Sequence, residues 1–473
     1  MGISGPDVGT DPGETAAAES KPRFEVERIR GHFDFVGRGR IVTNNAATTQ
    51  SPRELVELLA ELVPGYESVH RGRSTAARLM TDLFESAYDT IAQWINAPSR
   101  RNIAIYRNTT EAHNAVMYSM LTEFRDGDNV VTTRMEHNSN YVPWYGMTKE
   151  ILEPMGRHVE YRLVDFDRAT GELDLDHMAH LVDNRTKLIC CTGASNFLGT
   201  KPPLADVRAI ADGSGYEQPD SRLRSLLLVD GAQLVPSNPV DVAALDVDWL
   251  SFSFHKILAP FGVGVLYGKE DLIAGTRPFL YGGDMIADGG VWDDHIEYAD
   301  LPWRSAAGTP AVLEVIVSGQ ALRLLVDMVS GPDAEPYFRT ERSVPRSLVS
   351  EVMSAVRDHT KMLTSHAMEH LSEVGGITLY GPPAGQDRSP LVAFNVEGWS
   401  PYDLADGLDL QGVEARAGCH CASLAHRWLG LAPQATCRLS FALYNTINDV
   451  DRAVNALCRL VELDQRPDLV AQR

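Results

Sequence analysis

Apolar residues in the middle of the chain fall into short runs separated by stretches with helical spacing. Residues 102–106, 128–133, 159–164, 187–191 and 226–229 read as strands, because aliphatic side chains fill compact runs of four to six positions. Between them, residues 111–124, 141–152 and 204–211 space their apolar side chains as amphipathic helices do. Residues 248–254 and 262–267 follow as a close pair of strands, and 212–225 is a polar insertion that reads as a surface loop. Earlier, 33–42 looks like a strand running into a turn, and 55–62 and 77–94 look helical. Strands alternating with helices predict an α/β fold, with a mostly parallel sheet between helices and its chemistry at the carboxyl ends of the strands. The texture changes near residue 325. Residues 329–336 are turn-rich, 343–374 are helical, 391–396 and 438–443 are strand-like, and 450–463 form a closing helix. This second part is expected to be a smaller α+β domain. The division is therefore a tail at 1–22, an N-terminal segment at 23–50 joining the small domain, a large domain at 51–325 and the small domain at 326–473.

Composition narrows the partners. The 473 residues carry a formal net charge of -21, which opposes nucleic acid or an anionic membrane as the main partner. No run approaches the ~20 apolar residues of a membrane span. The first residues lack both a basic start and an apolar core, so they predict a disordered tail rather than a secretory signal. Six cysteines are sparse for this length and suggest a reducing cytoplasm. Cys419-His420-Cys421 has no accompanying Cys/His cluster of zinc-type spacing, so no metal is expected.

Only seven of the 43 basic residues are lysines, and one of them stands in an unusual setting. The apolar strand Leu226-Leu-Leu-Val-Asp230 delivers an acid to its end. Ser251-Phe-Ser-Phe-His-Lys256 then delivers a lysine behind a histidine and serines. Pyridoxal phosphate (PLP) needs this set: an amine to attach its aldehyde, a carboxylate to keep its ring nitrogen protonated, and hydroxyls for its phosphate. The plain alternative is a chance lysine at a strand end. Thr109 and Thr110 sit where a strand gives way to a helix, and a helix N-terminus suits a phosphate. Thr109 also reads as the helix N-cap.

Further motifs follow in order. They are Asn45-Ala-Ala-Thr-Thr-Gln50, Val69-His-Arg-Gly72, Arg107-Asn-Thr-Thr-Glu111, Glu136-His-Asn-Ser-Asn140, Ser195-Asn-Phe-Leu-Gly-Thr200, Val229-Asp-Gly-Ala-Gln233, Ser253-Phe-His-Lys256, Ala307-Gly-Thr-Pro310, Arg416-Ala-Gly-Cys-His-Cys421 and Cys437-Arg-Leu-Ser440. Together they resemble the class V aminotransferases of PLP fold type I, and within them the group II cysteine desulfurase and selenocysteine lyase branch. The resemblance runs from about Phe33 to about Leu463. It implies a large domain with a seven-stranded, mostly parallel sheet and PLP as cofactor. Lys256 would carry the cofactor and move protons, and Asp230 would hold the ring nitrogen. Gln233 would bond the ring hydroxyl, and His137 would stack on the ring and relay protons as a catalytic residue. Thr109, Thr110, Ser253 and His255 would hold the phosphate, with Thr309 reaching in from a second subunit of a homodimer that shares its active sites. Asn196 would bind both the cofactor, near its ring hydroxyl, and the substrate carboxylate, which Arg438 would clamp. Cys421 would accept sulfur as a persulfide, its thiol activated by His420 or nearby positive charge.

The function so implied is cleavage of the C–S bond of cysteine or a cysteine-like amino acid by a cytoplasmic enzyme, with an acceptor protein for the sulfur. Three positions depart from the pattern: Ser74, Ala306 and Cys419 stand where histidine, an acid and histidine are usual. They keep open a β-eliminating C–S lyase, or a decarboxylating or epimerising relative of specialised metabolism, that does not use Cys421. A catalytically silent PLP-fold partner protein is the remaining alternative, and Lys256 and Asp230 argue against it.

Overall fold

A computed structural model describes residues 24–464. The stretch 1–22, expected to be a disordered tail, lies outside them. The mid-chain strands assemble into one seven-stranded sheet: β1 (Ile103–Tyr106), β2 (Asn129–Thr133), β3 (Glu160–Val164), β4 (Thr186–Thr192), β5 (Leu226–Asp230), β6 (Trp249–Ser253) and β7 (Gly264–Gly268). Their order is β1-β7-β6-β5-β4-β2-β3. β7 alone runs against its neighbours; the other pairings are parallel. Every residue of β4 to β7 is buried. A sheet covered on both faces has no polar side to alternate with, hence the unbroken apolar runs.

Register positions the chemistry. Thr192 pairs with Asp230, and Asp230 pairs with Ser251. The carboxyl ends of three adjacent strands therefore present Thr192, Asp230 and Ser253 along one rim. Helix α1 (Thr75–Trp94) packs on α3 (Val312–Ser330), and α2 (Thr109–Met120) follows β1. A Cβ at Gly319 would stand 2.7 Å from that of Ala87, so the α1–α3 approach requires glycine there. Helix α3 continues past residue 325, so the boundary expected there falls inside a helix.

The C-terminal part carries an antiparallel sheet of β8 (Ile377–Tyr380), β9 (Leu391–Val396), β10 (Arg416–Gly418) and β11 (Thr436–Ser440), in the order β8-β9-β11-β10. Helices α4 (Arg346–Ser372) and α5 (Ile447–Asp464) pack beside it over a separate core that includes Leu371, Phe394, Leu404 and Leu457. The N-terminal segment joins this part: Ile41–Val42 pairs in parallel with Val413–Glu414.

Three local expectations change. Only Ile41–Val42 of the stretch 33–42 is strand, because Gly37 and Gly39 adopt positive φ and turn the chain. Residues 141–152 wind as a short α-turn and then a π-helix over Gly146–Leu152. The strand expected at 438–443 instead spans Thr436–Ser440, while β8, β10 and the hairpin Ile286–Val291 with Ile296–Tyr298 carried too weak a period-two signal to be read.

Candidate active site

The strand-end rim opens into a cavity of about 300 Å³ bordered by Thr109, Thr110, His137, Asn196, Asp230, Gln233, Ser253, His255, Lys256 and Arg416, among others. At one end lies the start of α2. Its N-cap is Asn108, whose Oδ1 accepts from Glu111 N at 2.9 Å, rather than Thr109 as expected. Thr109 is thereby free for the cavity side. Its N–H donates to Ser253 Oγ at 2.8 Å, and its hydroxyl lies 2.7 Å from the same oxygen. Gly264 of β7 makes the approach possible, since a Cβ there would stand 2.4 Å from the backbone of Asn108. The result is a helix N-terminus ringed by hydroxyls, which suits a dianion.

At the floor, Asp230 is buried at the end of β5, and its Oδ1 accepts from Ala232 N at 2.9 Å. Lys256 closes the single turn after β6. Burial pulls its pKa down to about 8, and Arg438 and Arg416 push the same way against the pull of Asp230. His137 caps the turn Asn138–Asn140. Its Nδ1 accepts from Ser139 N at 3.1 Å, so Nε2 bears the proton of the neutral ring. Burial chiefly, helped by Lys256, takes its pKa to about 4. His255 falls to about 4 for the same two reasons. The cavity thus holds neutral imidazoles beside a lysine that sheds its proton readily. Gln233 donates through Nε2 to Ala46 O at 2.6 Å, tying the N-terminal segment to the cavity wall.

The substrate side is built from the small sheet. Arg438 on β11 is fully buried. It donates to Asn196 O at 2.6 Å and to Asn44 Oδ1 at 3.4 Å, while its Nε has no partner. Burial, then Arg416, lowers its pKa to about 9. Arg416 on β10 stands directly opposite it in the strand register. Facing like charges disfavour a strand pair, and the side-chain contacts of the two guanidiniums among the described residues are to Asn196 O, Asn44 Oδ1 and Cys421 Sγ, none of them a carboxylate. An anionic ligand supplies what both lack. Asn196 Oδ1 is a further buried atom without a partner, beside its Nδ2 bond to His420 O at 2.6 Å. Arg416 opened a motif in the sequence, but only the β10–β11 register reveals its place. Glu136 was missed for the same reason. It is buried beneath this site, accepting from Thr133 Oγ1, Asn140 Nδ2 and Thr192 N.

Three expected residues stand outside the cavity lining: the fully buried Arg438, Cys421 and Thr309. Cys421 borders an adjoining half-open groove of about 580 Å³, which shares Thr110, His137 and Ser139 with it. Its loop is strained: His420 and Cys421 take φ of 52° and 55° in succession. Asn138 N anchors the loop by donating to Cys421 O at 2.6 Å. Arg416 Nη2 lies 3.9 Å from the sulfur. His420 does not supply the activating charge. Its ring turns inward to Thr436 Oγ1 at 3.0 Å, and burial drives its pKa well below the ordinary value, so the nearby cation is Arg416. Thr309 is exposed, accepts from Arg71 Nη1 at 3.2 Å, and does not line the cavity of its own chain.

The family model for class-V aminotransferases matches residues 41–332 and 347–453. The chain belongs to that family. A cysteine desulfurase of Haloferax volcanii is 36% identical, over 94% of this chain and 99% of that protein. Among solved structures, the cysteine desulfurase CsdA of Escherichia coli superposes with a TM-score of 0.77 at 29% identity, covering 93% of this chain and 99% of that one. The cysteine desulfurase of Thermococcus onnurineus gives 0.79 at 27%, covering 92% and 98%. The fold is therefore PLP fold type I, and the family's cofactor is PLP. The site fits it. An anion cradle, a buried carboxylate, a lysine of lowered pKa and a neutral imidazole surround one cavity of ligand size.

Proposed function

We propose that this enzyme, using PLP, takes the sulfur of cysteine or a cysteine-like amino acid onto Cys421 and releases the desulfurised amino acid. The observation that carries the reading is the joint placement of Lys256 and Arg416 on one cavity, the buried Arg438 opposite Arg416 in the strand register, and the strained Cys421 loop on the adjoining groove. The cofactor supplies an electron sink to the substrate's carbons. This chain's residues do the rest. Arg438 and Arg416 receive the carboxylate as two planar forks, and Asn196 Oδ1 accepts from the substrate or cofactor. Asp230 holds the ring nitrogen protonated, with Gln233 at the ring hydroxyl. Thr109, Thr110, Ser253 and His255 anchor the phosphate, aided by Thr309 of a second subunit in a homodimer. Lys256 Nζ takes and returns protons, and burial with the nearby arginines already lowers its pKa to about 8 in the cofactor-free protein. His137 covers the ring as a neutral imidazole. The balance is cysteine plus the Cys421 thiol giving alanine plus a Cys421 persulfide, which an acceptor protein then relieves of sulfur. The unpaired state of all six cysteines supports a cytoplasmic setting.

The position of Cys421 on the groove, outside the cavity lining, favours one second reading: a C–S lyase releasing sulfur without an enzyme persulfide. Incubating the purified enzyme with cysteine separates the two. Alanine with a persulfide on the Cys421 peptide supports the first. Pyruvate and sulfide without persulfide supports the second.

A further inference from the structure

Helix α4 carries His366 and His370 one turn apart, so both imidazoles rise from the same face. Helix α5 lies against that helix and brings Asp451 to the same place. His366 Nε2 is 2.6 Å from Asp451 Oδ1, and the two imidazole rings sit 4.4 Å apart at 71°. One ligand atom from each of the three residues lies within 4.8 Å of the others. Glu373 stands next to them, its Oε2 3.7 Å from His370 Nδ1. The side chains of His366, His370 and Asp451 remain 25%, 41% and 45% exposed, which leaves an entry path and room for water.

We infer that His366, His370 and Asp451 form a divalent transition-metal site that clamps α4 to α5. Two imidazole nitrogens and one carboxylate oxygen are the donor set of zinc, nickel, copper or cobalt. Magnesium and calcium prefer oxygen throughout. Metal–ligand bonds of ~2.0–2.1 Å in a tetrahedron put ligand atoms ~3.3 Å apart. The close His366–Asp451 pair therefore opens slightly and His370 swings inward, with water or Glu373 as the fourth ligand. Long-range charge assists, since the chain is strongly acidic. The spacing of His366 and His370 was visible along the chain, but the third ligand comes from a helix much later in it. Only tertiary packing separates this cluster from a solvated pair. None of the three residues borders the cofactor cavity, so the site acts on the stability of the small part and not on turnover.

The test uses the full-length PLP-loaded enzyme stripped of metal and then titrated with Zn²⁺, reading equilibrium binding and the thermal midpoint. The wild type should bind one ion at this site with Kd on the order of micromolar and melt at higher temperature with it. His366→Ala and His370→Ala should each weaken binding by at least ~10-fold and lose the shift in midpoint, with turnover in metal-free buffer unchanged. The double change Cys419→Ser with Cys421→Ser should keep both binding and shift, which separates this site from adventitious thiol binding. Undiminished zinc binding in the His366→Ala, His370→Ala double variant would overturn the assignment. So would the absence of any binding by the wild type below roughly 1 mM.

Discussion

The floor of the cavity and the loop that carries Cys421 are built in opposite ways. The floor consists of strand ends in a fully buried sheet, where Asp230, Ser253 and the turn to Lys256 inherit their positions from hydrogen-bonded register. The loop leaves the small sheet after β10 through two consecutive left-handed, non-glycine residues. It is held to the large part by the bond from Asn138 N to Cys421 O. A rigid floor preserves the chemistry common to every PLP reaction. A strained loop from a second sheet can change its cargo without disturbing that floor. The departures at Ser74, Ala306 and Cys419 lie outside the residues that border the cavity, and Cys419 sits on this loop.

Substitutions test that contrast, beginning with the floor. Lys256→Ala should abolish turnover of any amino acid, and borohydride reduction with peptide mapping of the wild type should find the cofactor on Lys256. Attachment to another lysine would break the assignment. On the loop, Cys421→Ser should lower alanine formation from cysteine by ~10³-fold or more while leaving PLP bound, as expected for loss of a nucleophile. Because Cys419 is two residues away, Cys419→Ser with Cys421→Ser belongs beside it. Full activity of that double variant would show that the loop is inert and the floor sufficient. Asp230→Asn should retain cofactor and lose activity by ~10²-fold or more, because an amide cannot hold the ring proton by charge. Arg416→Gln links the two regions and should raise KM for cysteine by roughly 10-fold, the value of one charge-assisted hydrogen bond.

The smallest effect is one of pH. Lys256 in the cofactor-free protein has its pKa lowered to about 8 from the usual 10.5. The folded state therefore binds fewer protons than the unfolded state between those values, and stability rises with pH across that window. Lys256→Met removes the charge and with it the penalty. The variant should be the more stable at pH 7, by a margin that shrinks toward pH 10, as denaturant melts of the cofactor-free proteins can measure. In the same cofactor-free protein His137, at about 4, should stay neutral from pH 5 to 8, as NMR of its ring protons can measure.

The short apolar runs with interleaved helical spacing were enough to predict the large sheet. The acid at the end of β5 and the lysine after β6 were legible because each ends a buried strand. Short or edge elements were not: β8 and β10 are four and three residues long, too short for a pattern to rise above chance. His420 shows a different limit. Its place beside Cys421 suggested an activating charge, but adjacent residues in a left-handed turn point apart, and its ring is buried against Thr436.

The sequence by itself determined the layered α/β architecture, the strand-end acid and lysine, and the motif order that marks the family, because these depend on local periodicity and on residue types at fixed offsets. Tertiary structure alone decided which charges meet. Arg416 faces Arg438 only through the register of β10 on β11, Asn196 reaches His420 only across the two parts of the molecule, and Glu136 is buried beneath the site only once β4 packs beside β2. Long-range pairing and burial set these contacts, and neither leaves a period in the chain for a reader to find.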